Sequence, residues 1–178
     1  MTAGHASQVT LEVASVQDAA LLANLLELYV HDLSEVFELE IPEDGRFGYD
    51  KLPLYWSEAE RRFAFVIRHD GRVAGFALVT RGSPASDDPH ALDVAEFFVL
   101  RRHRRRRVGE RAARLLWDRF PASSWVVRVS EGNRPALPFW RAVVRDYTAG
   151  TFAETSRPGS PHPWLVLGFT SRTAPATS

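Results

Sequence analysis

The sequence predicts one α/β domain, built on a mixed, mostly antiparallel sheet of six to seven strands flanked by helices. Three observations lead there. The chain has 178 residues, 45% hydrophobic and 25% charged, which suits a single core and argues against wholesale disorder. Apolar segments with strand alternation or helical spacing follow one another in the order β-α-(α)-β-β-β-α-β-α-β-β. Finally, His69-Asp70-Gly71 between two apolar runs signals an antiparallel hairpin, whereas strand–helix–strand from Leu92 to Val129 gives one parallel pair by a right-handed crossover.

The elements read in order as follows. Val9–Val13 alternates as a first strand. Asp18 is positioned to cap a helix from about Ala19 to Val36, with Leu22, Leu25, Leu26, Tyr29, Leu33 and Val36 at helical spacing. Residues 38–49 hold Pro42, Gly45 and Gly48 and read as a loop, and a short helix or turn follows near Leu52–Glu60. Phe63–Arg68 and Arg72–Thr80 form the hairpin, residues 82–88 a loop, and Leu92–Leu100 a strand. Val108–Phe120 is an amphipathic helix that turns Val108, Ala112, Leu115, Leu116 and Phe120 inward. Trp125–Val129 is a strand, and Asn133 caps a helix whose first turn accepts Pro135. Strands near Tyr147–Glu154 and Trp164–Phe169 close the chain. The domain is expected over residues 8–170, with polar tails at 1–7 and 171–178.

Composition excludes several function classes. There is no cysteine, hence no disulfide, no thiolate nucleophile and no cysteine-ligated metal. The six histidines lack ligand spacing, so no metal is expected. Formal net charge is zero, and no apolar run approaches the roughly 20 residues that span a bilayer, so neither a nucleic acid nor a membrane partner is expected. The N-terminus carries no signal-peptide pattern, and a cytoplasmic location follows as the expectation.

The densest signal is the run Arg101–Arg107, six arginines and one histidine where a strand ends and a helix begins. A helix N-terminus carries about +0.5 elementary charge and disfavours cations. The conflict disappears when an anion fills the turn, because amide N–H groups and guanidinium groups then address the same negative charge. The other reading of such a run is a basic turn spread into water.

Arg104-Arg105-Arg106-Arg107-Val108-Gly109 resembles the Arg/Gln-x-x-Gly-x-Gly/Ala signature of the GNAT superfamily of N-acetyltransferases. Asn133-x-x-Ala136-x-x-Phe139-Trp140 is similar to that superfamily's second signature helix, and Leu28–Glu35 to a segment of a subgroup of predicted bacterial acetyltransferases. The resemblance runs over nearly the whole chain, from Val9 to Phe169. It implies acetyl-CoA as acyl donor. Backbone groups of Phe97, Phe98 and Val99 would pair with the pantetheine arm. Amides from Arg105, Arg106, Arg107, Val108, Gly109 and Glu110 would cradle the pyrophosphate, with Arg104 at the Arg/Gln position. Asn133 would reach the pantetheine and Phe139 would pack beside it. It also implies a sheet splayed by a β-bulge in Leu92–Leu100. Two positions depart from the pattern: Arg107 replaces the signature's first glycine, and Trp140 replaces a tyrosine that often reprotonates the leaving thiolate.

Amine acetylation needs a group that accepts the ammonium proton. Glu96 and Asp93 lie on the strand that leads to the pocket; three residues apart on a regular strand they face opposite sides, and a bulge would bring them to one. Glu96 is nearer the thioester in sequence, and Asp93 falls where several relatives place a catalytic glutamate. His31 has a suitable ordinary pKa and is a third candidate. Tyr29, Phe37, Phe47, Tyr49, Tyr55 and Trp56 are read as packing for the first loop or as lining for the acceptor. The resulting expectation is direct transfer of acetyl from acetyl-CoA to a small-molecule or peptide amine in a ternary complex, by a monomer or homodimer. A non-enzymatic acyl-CoA sensor is the first alternative, and a nucleic-acid-binding module using Arg101–Arg107 the second.

Overall fold

The computed structural model describes residues 7–173. Seven strands form one sheet in the order β1-β2-β3-β4-β5-β7-β6. They are β1 (Val9–Val13), β2 (Arg62–His69), β3 (Arg72–Arg81), β4 (Leu92–Val99), β5 (Ser124–Ser130), β6 (Ala153–Arg157) and β7 (Trp164–Thr170). Only β4 and β5 pair in parallel, as the crossover requires. Two helices, α1 (Ala19–Phe37) and α2 (Leu54–Ser57), cover one face through Leu22, Leu25, Leu26 and Tyr55 against Ala64, Val66, Phe76, Leu78 and Phe98. On the other face lie α3 (Val108–Asp118) and α4 (Ala136–Thr148), around a core in which Trp117, Trp125 and Tyr147 are fully buried.

Local chemistry differs from the sequence reading at several ends. Asp18 does not cap α1; with Ser15 it closes a capping box on the preceding 3₁₀ turn Val16–Asp18, Ser15 N–H donating to Asp18 Oδ2 at 2.8 Å. In α3 the buried stripe is Val108, Ala112, Ala113, Leu116 and Trp117, whereas Leu115 is 40% exposed: the face that buries the large Trp117 ring turns Leu115 outward. Asn133 does not cap α4 with its side chain. Its backbone carbonyl accepts from Ala136 and Leu137, which leaves the carboxamide without a protein partner among the described residues. Tyr147 belongs to α4 and not to a strand: the ring is buried on Trp117, and its hydroxyl donates to Asp118 at 2.8 Å. The helix ends after it, at left-handed Ala149. Ordered structure also runs past residue 170, since Ser171 is buried and bonded to Ser123, and Arg172 to Tyr147. Most of both expected tails lies outside the described residues.

The sheet feature that matters most is a bulge in β4. Along β3, Thr80 faces Asp93, Val79 faces Val94 and Leu78 faces Glu96, which leaves Ala95 extra. Thr80 and Leu78 are two apart and share a face, so Asp93 and Glu96 share one too, the α1–α2 face. The parallel ladder to β5 stops just before the bulge, at Val94↔Val127. Beyond it β4 and β5 part.

Candidate active site

The parting of β4 and β5 exposes one edge of β4. Leu100 N–H donates to Ala74 of β3 at 2.8 Å, so by alternation Phe98 also turns its polar backbone groups to β3, while Phe97 and Val99 turn theirs to the open side. The Val99 carbonyl already accepts Arg104 Nε at 2.7 Å. Phe139 and Val99 flank Gly109 closely: a Cβ there would stand 3.1 Å from the Phe139 ring.

After β4 the chain makes a 3₁₀ turn (Arg101–His103) and enters α3. Arg105 and Arg107 both adopt left-handed φ, 59° and 60°. From Arg105 to Glu110, no backbone N–H finds an acceptor among the described residues. Helix-start amides of this kind make an anion site. The protein's carboxylates do not cap them. Glu110 is turned instead onto Arg107 Nε at 2.9 Å, and the hydrogen bond from Arg107, first of its influences, holds its carboxyl below the usual range. Asp32 of α1 takes Arg101 at 2.7 Å and Arg104 at 2.6 Å; burial raises its pKa, but these two bonds outweigh burial and hold it low. Arg102, Arg105 and Arg106 are exposed and have no carboxylate partner among the described residues.

On the α1–α2 face, Glu96 receives the Tyr29 hydroxyl on Oε2 at 2.7 Å and the Tyr49 hydroxyl on Oε1 at 2.9 Å. Burial raises its pKa above the ordinary carboxylate value, against the two tyrosine bonds and the field of Arg128, which lower it. Burial, then the negative charge of Glu96, pushes both tyrosines well up, so they act as neutral donors. Tyr49 reaches the site because its loop is pinned to α1, where Glu27 accepts Phe47 N–H and Gly48 N–H, each at 2.9 Å. Asp93, by contrast, is fully enclosed, taking Arg128 Nε at 2.7 Å and Ser83 Oγ at 2.5 Å. His31 is exposed on α1, and successive helix positions put it on a different face from Tyr29. Trp140 is buried, edge-on to Phe97 and Phe139 at 5.0 Å, and forms core.

The sequence reading gave the tyrosines to loop packing or to acceptor lining, and it did not single out Arg128 or Trp164, which lie near these carboxylates. A polar residue inside the apolar strand Trp125–Val129 was the available signal for Arg128. A concavity of about 540 Å³ between the end of α4 and β6–β7 is lined by Thr148, Phe152, Gly168 and their neighbours. Its lining includes neither the carboxylates nor the residues with free amides.

Residues 23–143, more than half of the chain, match the acetyltransferase (GNAT) family. The chain belongs to that family. As a GNAT acetyltransferase it is an acyl-CoA-dependent enzyme by class. The comparison with curated proteins returned no match. Among solved structures it is similar to the spermidine N-acetyltransferase of Vibrio cholerae in complex with CoA and spermine, with TM-score 0.64, 13% identity, and 92% of this chain and 96% of that one covered. It is also similar to the ribosomal-protein-S18-alanine N-acetyltransferase of Escherichia coli (0.59, 14%, 96% and 99%) and to an acetyltransferase of Thermus thermophilus (0.61, 16%, 91% and 96%). At these identities the structural likeness establishes the GNAT fold, and the substrate is a separate matter.

Proposed function

We propose that this GNAT enzyme transfers acetyl from acetyl-CoA to a primary amine by direct attack, with Glu96 as the proton acceptor. The observation that carries the reading is the placement of Glu96. It stands on the lip of the β4–β5 gap, held by two hydroxyls and by no guanidinium, so its charge remains available to an ammonium. Asp93 has a dedicated cation and no exposed surface, which favours Glu96 as the base.

The chain's features fit a CoA guest. Unoccupied amides from Arg105 to Glu110, with Arg102, Arg105 and Arg106 nearby, are suited to hold a diphosphate. The open-edge groups of Phe97 and Val99 and the free carboxamide of Asn133 would hold the pantetheine, with Phe139 packed alongside. Bound acetyl-CoA supplies an activated acyl group. Glu96 takes the ammonium proton, directly or through water; the freed amine bonds to the acyl carbon as the thioester C–S bond breaks, the N–H of Val99 donates to the acyl oxygen where negative charge develops, and solvent protonates the departing thiolate. With no cysteine in the chain, a cysteinyl covalent intermediate is excluded. A nucleic-acid role fits less well: three of the six arginines are committed to Asp32 and Glu110, and Phe98 beside them is buried, leaving no exposed stacking surface there.

Glu96→Gln tests the assignment. Turnover on any accepted amine should fall by about 10²–10⁴-fold while acetyl-CoA affinity by calorimetry stays within a factor of about two. Undiminished turnover would remove Glu96 as the base.

A further inference from the structure

Arg128 is the next residue of β5 after the last β4–β5 pair, so it stands where the two strands separate, across the gap from Glu96. Its side chain lies on the Glu96 face, because Val126, two residues earlier, pairs with Asp93. Two contacts fix it. Asp93 takes Nε at 2.7 Å, and the guanidinium lies 5.6 Å over the Trp164 ring. Phe37, at the end of α1, stacks on the same indole at 5.8 Å.

A guanidinium has two edges that bind a planar anion. Asp93 occupies the Nε side of Arg128, and neither terminal nitrogen has a protein acceptor among the described residues. The end-on edge therefore has no protein acceptor among the described residues, and the Arg128 side chain as a whole is 23% exposed. If Arg128 served only to neutralise the buried Asp93, no preoriented, vacant fork would be needed beside the proton acceptor. Lys51, the chain's single lysine, adds a second positive field at Glu96. The two carboxylates here, Asp93 and Glu96, are balanced by two cations; because Asp93 is bonded through Arg128 Nε alone, an amine carrying an acid group would be matched at both ends, by Glu96 and by the remaining edge of Arg128.

We propose that the acceptor is a small amine that also bears a carboxylate, with the carboxylate on the Nη1/Nη2 edge of Arg128 and the nitrogen toward Glu96. This rests on the reading of Glu96 as the acceptor-side base. Phe37 and Trp164 beside Arg128, with Tyr29 and Tyr49 on Glu96, bracket the two charged groups with aromatic side chains, and the acceptor is taken to be a free amino acid or similar small molecule and not a folded protein.

Two measurements test it. In the first, acetylation rates are compared for matched pairs, amino acids against their carboxamides and their decarboxylated amines, with a short peptide bearing a free C-terminus as a further arm. The acid should be preferred by about tenfold to hundredfold in kcat/KM, a charge-assisted bidentate contact. The preference should vanish in Arg128→Gln, and in Asp93→Asn/Arg128→Gln, which removes both charges together and keeps the core neutral if the single variant fails to fold. Preference for the peptide over every free amino acid would overturn the small-acceptor part.

The second needs no turnover: calorimetric binding of N-acetyl amino acids and their amides in the presence of CoA. Selective binding of the acids, lost in the double variant, supports the carboxylate site even if no amine is acetylated, a result that would sink the Glu96 reading alone. Acetylation of neutral and acidic amines at equal rates, or a preference that survives in the double variant, overturns the carboxylate site and leaves the acetyltransferase reading standing.

Discussion

Glu96 shows how neighbours set the chemistry of one side chain. Burial favours its neutral form, whereas each tyrosine hydroxyl favours the carboxylate by donating to it. Removing one donor therefore raises the pKa further. Tyr49→Phe should move the acidic limb of the kcat/KM profile upward by about one pH unit, since a hydrogen bond to a charged group is worth roughly 1.5–3 kcal/mol before solvent compensates. An unmoved limb would show that Glu96 is not the group titrating there. A second buried pair, His69 and His103, share a hydrogen bond between Nδ1 atoms at 2.9 Å, next to the arginine turn. Burial, then the charges of His69, Arg102 and Arg106, lower the pKa of His103. Below pH about 6.5 the unfolded chain binds a proton that folded His103 resists, so stability is full above that pH and is lost as pH falls. Tm should drop between pH 7 and 5, and drop less in His103→Asn.

At the scale of elements, the bulge in β4 and the start of α3 do the positioning. Gly75 of β3 lies so close to β4 that a Cβ would sit 1.9 Å from the Phe98 carbonyl oxygen. Gly75→Ala must push the strands apart and should cost about 1–3 kcal/mol or more, visible as a lowered denaturation midpoint. Equal stability would mean that the β3–β4 ladder yields more easily than its geometry indicates. At the other end of the same edge, Gly109→Trp would fill the space between Phe139 and Val99 and cover the free amides. Acetyl-CoA binding should be lost by calorimetry. Some thermal stability should go with it, because the Phe139 ring must move, while helix and sheet content by circular dichroism stays near native. Unchanged affinity would put the phosphate site elsewhere.

Across the whole molecule, two faces of one sheet do different work, and the gap joins them. The α3–α4 side carries the free amides and the Trp117–Trp140–Tyr147 core, and the α1–α2 side carries Glu96, Arg128 and the tyrosines. Asp32 ties α1 to Arg101 and Arg104, and so links the helix that carries Tyr29 to the arginine turn. Element order, the hairpin, the crossover and the arginine turn were all legible in the chain, because hydrophobic period, turn chemistry and a run of like charge are local properties. The Tyr29–Glu96 and Arg128–Asp93 contacts were not, since they join residues 67 and 35 positions apart through a register that only strand pairing sets.

The sequence by itself determined the order and type of most elements and an arginine-rich helix start, and its motifs carried the GNAT resemblance, since all of these are patterns within short windows. Which carboxylate is free was decided by tertiary structure alone. One extra residue, Ala95, rotates β4 so that Asp93 and Glu96 face the same way; packing then hands a cation to the first and two hydroxyls to the second. No local pattern distinguishes two acids three residues apart; burial and partner do.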